Sequence, residues 1–341
     1  MAEMQMVSPE RCMMVVRKSR DREAVECNFM FKKSGFSDAD IHTVEAVSKQ
    51  NGFDILYTPH TVPDNPFAKL ITTSDPYQFY QHYSFNVAPT YDNSPFFFHT
   101  VRLKDIWRSL FLSWESKKTN VGILVLFLVF FVALILVLLF ILVPLFLSRR
   151  RMQGREAITP IRLSYFICLG LGFILVEMTL VQKFILFLGQ PVYALSVVLF
   201  STLLFSGLGS FISPRLLGSK LDRNIRLVCL LISILILAYV VFLPAVLYAY
   251  VSLPTVHKAL IVVALLFPLC FWMGMPMPLG VHRLKTRSAA MVPWAWGVNG
   301  SASVLGSILT VLIAANFGFN QALLAAASVY GFCAVLISSK D

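Results

Sequence analysis

Seven stretches of this 341-residue chain are each long and apolar enough to cross a lipid bilayer, and this excludes most folds at once. A helix needs about 20 apolar residues to cross the ~30 Å hydrocarbon layer, where every backbone polar group must bond within its own segment. The stretches lie at about 121–148, 163–187, 192–213, 227–250, 259–281, 292–316 and 320–338. Composition agrees: 57% of residues are hydrophobic and 14% charged, against roughly a quarter charged in soluble domains. A soluble enzyme is excluded.

The charges are distributed unevenly. Residues 1–120 carry 14 Lys/Arg and 14 Asp/Glu. The remainder carries 15 Lys/Arg but only Glu156, Glu177, Asp222 and Asp341, so the whole net charge of +11 belongs to the apolar part. A nucleic-acid footprint would need a clustered basic face on a soluble module, and none is expected. The basic residues instead fill alternate connectors: Arg149, Arg150, Arg151, Arg155 and Arg162 in the first, Arg215, Lys220, Arg223 and Arg226 in the third, Arg283, Lys285 and Arg287 in the fifth. The even connectors hold Lys258 alone. The positive-inside rule then places the odd connectors and the C-terminus in the cytoplasm.

Residues 1–100 read as a small α/β unit. Met13–Arg17 and Asn28–Lys32 are strand-like. Ser37 can cap a helix running to about Gln50, which Asn51-Gly52 stops, and Phe53–Tyr57 forms a third strand. Pro63, Pro66, Pro76, Pro89 and Pro95 predict mostly extended or looped chain beyond it. Leu103, Ile106, Trp107, Leu110, Phe111 and Trp114 draw one helix face, flanked by Lys104, Arg108, Lys117 and Lys118, so 101–120 reads as an interfacial helix. The start of the chain is polar and lacks the apolar core of a cleavable signal peptide.

Few residues carry legible chemistry. Glu177 lies near the middle of a span, where a carboxylate costs roughly 2.5–3.5 kcal/mol unless it faces protein or water or stays protonated. Its helical neighbours offer no partner, and Ser303 and Ser307 of span 292–316 fall near its depth, with Asn299 closer to the cytoplasm. The functional reading is a proton, cation or polyamine-like site; the structural reading is a protonated Glu joining two helices. Lys183 near the outer end can snorkel to the interface. Asn299, Gly300, Ser301, Ala302, Ser303, Gly306 and Ser307 form a small-residue surface that serves close packing or a substrate groove. Pro276 and Pro278 break span 259–281, as happens at transporter binding sites and at plain kinks. Gly170, Gly172, Gly207 and Gly209 lie within apolar helices and are no nucleotide fingerprint. Six scattered cysteines support neither disulfides nor zinc. His42, His60, His82 and His99 show no ligand-like spacing and are expected to be solvated or structural.

Three segments carry a resemblance: LVEMTLVQKFILFLGQPVYALSVVLFSTLLFSGLGSFIS (Leu175–Ser213), PWAWGVNGSASVLGS (Pro293–Ser307) and DNSPFFFH (Asp92–His99). They resemble the membrane region of bacterial fused major-facilitator/spermidine-synthase-like proteins, and Phe31–Pro59 looks like the last part of their soluble domain. Ser94 departs from the Arg expected there. The resemblance implies a Rossmann-like domain that binds S-adenosylmethionine or its decarboxylated form and transfers an aminopropyl group to a diamine. The glycine-rich turn and acidic residues this needs belong to the first half of such domains, which this chain starts after. No catalytic residue is therefore carried over, and neither cofactor nor metal is expected. Glu177, Gln182, Lys183, Pro191, Tyr193, Trp294, Trp296, Gly297, Asn299 and Gly300 occupy family-typical positions.

The sequence thus predicts a mainly α, polytopic helical bundle of about seven spans (121–341), preceded by a partial Rossmann-like synthase domain (1–100) and the interfacial helix. The candidate substrate or proton site is Glu177, Gln182, Lys183, Tyr193, Asn299, Ser303 and Ser307, with a helix break at Pro276 and Pro278. The expected function is transport or membrane binding of a small, polyamine-like metabolite in the inner membrane, with the lipid bilayer as partner. Two alternatives stand beside it: an anchored part of an aminopropyl- or methyltransferase completed by a synthase-like partner polypeptide, and a structural subunit of a larger membrane complex. Seven crossings with a cytoplasmic C-terminus put residues 1–120 outside, where S-adenosylmethionine is not expected. Either the first stretch does not cross simply, or upstream segments set the orientation, or the remnant is no synthase.

Overall fold

The structure, a computed structural model, describes residues 9–18, 27–83, 85–97, 114–145, 147, 160–216 and 220–338. The proposed interfacial helix (101–120) lies outside the described residues apart from 114–120, which are helical and continue without a break into the first apolar stretch. The chain divides into two compact units, Met1–Ala88 and Pro89–Asp341.

The first unit holds strands β1 (Met13–Lys18), β2 (Cys27–Phe31) and β3 (Phe53–Tyr57) in the order β2-β1-β3, every pairing antiparallel. Met14 and Val15 of the central strand are fully buried, and Val15 packs with Tyr57 and Ala68. Helix α1 (Asp38–Asn51) begins in a capping box, Ser37 Oγ accepting from the Asp40 amide at 3.2 Å while Asp40 Oδ2 accepts from the Ser37 amide at 3.0 Å. It ends at Gly52, whose φ of 66° is the left-handed conformation glycine adopts freely. The chain after Tyr57, expected to be mostly extended or looped, also holds two short helices, α2 (Pro66–Thr72) and α3 (Pro76–His82). Each starts with its proline, where no amide is required, and the side chains of Asn65 and Asp75 cap the free amides that follow.

The second unit is helical: α4 (Trp114–Val137, continued by a π-helical turn, Leu138–Leu142), α5 (Pro160–Leu188), α6 (Pro191–Ile212), α7 (Leu221–Ala249), α8 (Thr255–Met273), α9 (Pro276–Arg287), α10 (Val292–Phe317) and α11 (Phe319–Ser338). Among the described residues seven segments are long and apolar enough to cross a membrane, with α8 and α9 together making the fifth. Phe166, Leu175 and Phe184 of α5, Ile225, Ile232 and Ile236 of α7, Leu266 and Leu269 of α8, and Leu323 and Tyr330 of α11 form the core. Among its described side chains helix α4 contributes no buried residue to it, and it exposes Leu128, Ile135 and, in the turn that continues it, Phe140. Residues 89–97 belong to this unit rather than to the first, because Asn93 is tied to the start of α11.

Two crossings fix the bundle through glycine. A Cβ on Gly209 of α6 would strike the Phe271 carbonyl of α8, and one on Gly274 would strike the Ser206 carbonyl of α6. Likewise Gly170 of α5 sits against the Asn299 carbonyl of α10, and Gly306 of α10 against Leu171 and Ile174. Without side chains at these points the backbones come close enough for dispersion and weak polar contacts to hold the helices.

Candidate functional site

The site grows from the helix break. Helix α8 closes at Gly274, whose amide bonds the Cys270 carbonyl at 3.1 Å, and Met275 bonds Trp272 at 3.2 Å. Pro276 and Pro278 then fall within the first turn of α9, where backbone amides have no intrahelical partner. The two prolines therefore begin a new helix at little cost, where mid-helix they would disrupt one. The Tyr165 hydroxyl, buried on α5, donates to the Pro276 carbonyl at 2.9 Å and pins the break to the core. Gly280, one turn on, has Tyr165 where a Cβ would be.

A cleft of about 760 Å³ opens beside this break, within the usual range of small-molecule sites. Leu169, Gly170 and Phe173 line it from α5, and Leu203, Ser206, Gly207 and Ser210 from α6. Met273, Gly274, Pro276, Met277 and Pro278 line it at the break, followed by Val281, His282 and Lys285 along α9. Trp296, Asn299 and Ser303 close it from α10, and Tyr330 from α11. The walls are mostly apolar, and the lining holds one charged side chain, the basic Lys285. Neighbouring Arg283 is neutralised: its Nε donates to Asp222 Oδ1 of α7 at 2.7 Å.

Four of the sequence-predicted residues meet here: Pro276, Pro278, Asn299 and Ser303. Asn299 Nδ2 donates to the Phe166 carbonyl at 3.0 Å, and Ser303 Oγ bridges the Gly170 and Asn299 carbonyls at 3.1 Å each. The small-residue surface is thus a packing seam and a cleft wall at once. Ser307 turns back to the Val304 carbonyl at 2.8 Å. Neither serine bonds Glu177, so the pairing expected from depth alone does not form. Glu177 is half-buried on α5, one turn beyond the cleft-lining Phe173, and among the described residues it has no hydrogen-bond or ion-pair partner. Gln182 is half-buried, and Tyr193 is 56% exposed at the start of α6; neither lines the cleft.

Lys183 sits elsewhere and does not snorkel. It is 8% exposed, its Nζ donates to Asn320 Oδ1 at 2.9 Å, and it lies 5.9 Å from the centre of the Phe319 ring. Asn93 completes this clamp: its carbonyl accepts from the Phe319 amide at 2.7 Å and its Oδ1 from the Asn320 amide at 2.9 Å. Asp92 is close enough to act electrostatically on the lysine. Gly318, with φ of 96°, lets the chain turn into α11 against the Asn93 side chain. The described part of the Asp92–His99 segment, Asp92–Phe97, therefore caps the start of α11 through Asn93.

The chain matches no family model, no curated protein and no solved structure. What the cleft can do must then be read from its lining. Sequence reasoning missed Ser206, Ser210, His282 and Lys285. The last two were signalled by their spacing of three residues on one face of the helix that follows the proline pair; the serines had no signal before α6 was placed against α8.

Proposed function

We propose that this is a multi-pass inner-membrane protein that binds or transports a small metabolite in the cleft beside the α8–α9 break. The observation that carries the reading is a discontinuous helix bordering a ligand-sized cleft, the arrangement by which transporters expose backbone groups to substrate without exposing them to lipid. His282 and Lys285 stand toward the end of the bundle where the basic connectors lie, so the cleft is entered from the cytoplasm if the positive-inside rule holds. The kinship to spermidine-synthase-like membrane proteins rests on the sequence resemblance. The lining narrows the substrate: it contains no carboxylate to receive a polyamine, whereas Lys285 and His282 suit a carboxylate- or phosphate-bearing molecule. Thermal shift of the purified full chain with succinate, inorganic phosphate and spermidine tests this. Stabilisation by an anion, lost in Lys285→Gln, is expected; stabilisation by spermidine alone would reverse the substrate sign.

A second reading, an anchor for a synthase-like partner, draws on one observation. Strand β2 is a sheet edge on which Phe29 and Phe31 are 63% and 53% exposed, and such edges readily accept a further strand. The reading expects S-adenosylmethionine binding when the chain is mixed with a soluble glycine-rich synthase half. An absence of calorimetric heat in that mixture counts against it.

A further inference from the structure

The first unit brings together two histidines that lie 18 positions apart in the sequence. Asp38, His42 and Glu45 share one face of α1, being spaced by four and three residues. After β3 the chain folds into a tight turn, the Thr58 amide bonding the Thr61 carbonyl at 2.9 Å and the Thr61 amide returning to Thr58 at 3.1 Å. This turn carries His60 to the helix face. The His42 and His60 ring centres are 5.2 Å apart, and one donor atom each from His42, Glu45 and His60 lie within 4.8 Å of one another.

The carboxylate is held in place. Glu45 Oε1 accepts from Thr58 Oγ1 at 2.7 Å and Thr61 Oγ1 at 3.0 Å, which leaves Oε2 available. Asp38 Oδ1, 3.3 Å from His60 Nε2, steadies the second imidazole. Ligands supported in this way by outer hydrogen bonds are the normal construction of a protein metal site.

We propose that His42, Glu45 and His60 bind a divalent transition-metal ion, Zn²⁺ foremost, on the face of the first unit. Two imidazoles and one carboxylate suit Zn²⁺, Ni²⁺ or Cu²⁺, while Ca²⁺ and Mg²⁺ require more oxygen ligands. Ligands about 2.1 Å from a tetrahedral ion stand roughly 3.4 Å apart. The three donor atoms stand within 4.8 Å of one another, and His42 and His60 are exposed.

The test is calorimetric titration of the full chain, in detergent and with any affinity tag removed, using ZnCl₂ and NiCl₂. One high-affinity equivalent is expected. His42→Asn, His60→Asn and Glu45→Gln should each weaken it at least tenfold, and Thr58→Val about tenfold, while His82→Asn and His257→Asn leave it unchanged. X-ray absorption of the zinc-loaded chain should show two imidazoles with oxygen ligands and no sulfur, which guards against variants that merely unfold. An absence of binding, an unchanged affinity in the His42→Asn/His60→Asn double variant, or sulfur in the zinc shell would overturn the proposal.

Discussion

The ammonium of Lys183 on α5 donates to the side-chain carbonyl of Asn320 on α11 at 2.9 Å, within an otherwise apolar helix contact. A hydrogen bond to a charged group contributes about 1.5–3 kcal/mol, and losing the partner of a buried charge is costlier than removing the charge itself. Asn320→Leu should therefore lower stability by about 2 kcal/mol, whereas Lys183→Met, which removes the charge and keeps the apolar stem, should cost less. Thermal unfolding in one detergent, followed through tryptophan fluorescence, ranks the two. The reverse order would mean that the lysine does not depend on Asn320.

Glycine positions divide into two groups that single substitutions can separate. At Gly170 an added methyl meets the Asn299 carbonyl and Ser303 Oγ, and at Gly300 it meets nothing within 4 Å. Gly170→Ala should destabilise by roughly 1–3 kcal/mol, the usual cost of overpacking. Gly300→Ala should be neutral or stabilise by up to about 1 kcal/mol, because it stiffens a helix interior. Equal effects in thermal unfolding would contradict the α5–α10 seam.

These two sites also show why some of the molecule was legible in its residues and some was not. The helices follow from apolar length alone: the stretches expected at 192–213 and 292–316 become α6 at Pro191–Ile212 and α10 at Val292–Phe317. Ser37, Asp40 and Gly52 likewise announce α1 locally, through a cap at each end. The partners do not follow, because apolar periodicity says which residues avoid water but not which helix faces which. Depth placed Ser303 and Ser307 beside Glu177, yet the rotation of α10 about its axis turns Ser303 to Gly170 and folds Ser307 back on its own helix. Pro66 and Pro76 were ambiguous for the opposite reason: a proline stops a helix or starts one depending on the residue before it, and Asn65 and Asp75 were the informative neighbours.

The capping box of α1 makes a prediction about acid. The Lys32 ammonium beside Asp40, together with the Ser37 amide, holds its carboxyl down to about 2, below the ordinary value of ~3.9. A folded value below the unfolded one means that the stabilisation is complete above about pH 4 and lost as pH falls through about 2. Asp40→Asn should remove that part of the pH dependence and loosen the first turn of α1 at neutral pH. Carboxyl ¹³C NMR of Asp40 and amide exchange at the start of α1, measured from pH 5 to 2, check both. A midpoint near 4 would show that the box does not persist in solution.

The position of Glu177 leads to the last prediction. It is the sole acidic residue within the spans as read from sequence, yet the cleft is lined one turn below it by Phe173 and carries its charge on Lys285. If ligand is held by the lining, Glu177→Gln should leave equilibrium affinity within about twofold, while Lys285→Gln should weaken an anionic ligand at least tenfold, the loss of one charge-assisted bond worth about 1.5 kcal/mol or more. Proteoliposome uptake then separates binding from coupling. A Glu177→Gln variant that binds normally but no longer concentrates substrate down a proton gradient would place the carboxyl in the transport step, as expected of an ionisable group set within a membrane helix. A Glu177→Gln variant that loses binding altogether would instead extend the site past Phe173 and return the carboxylate to the substrate.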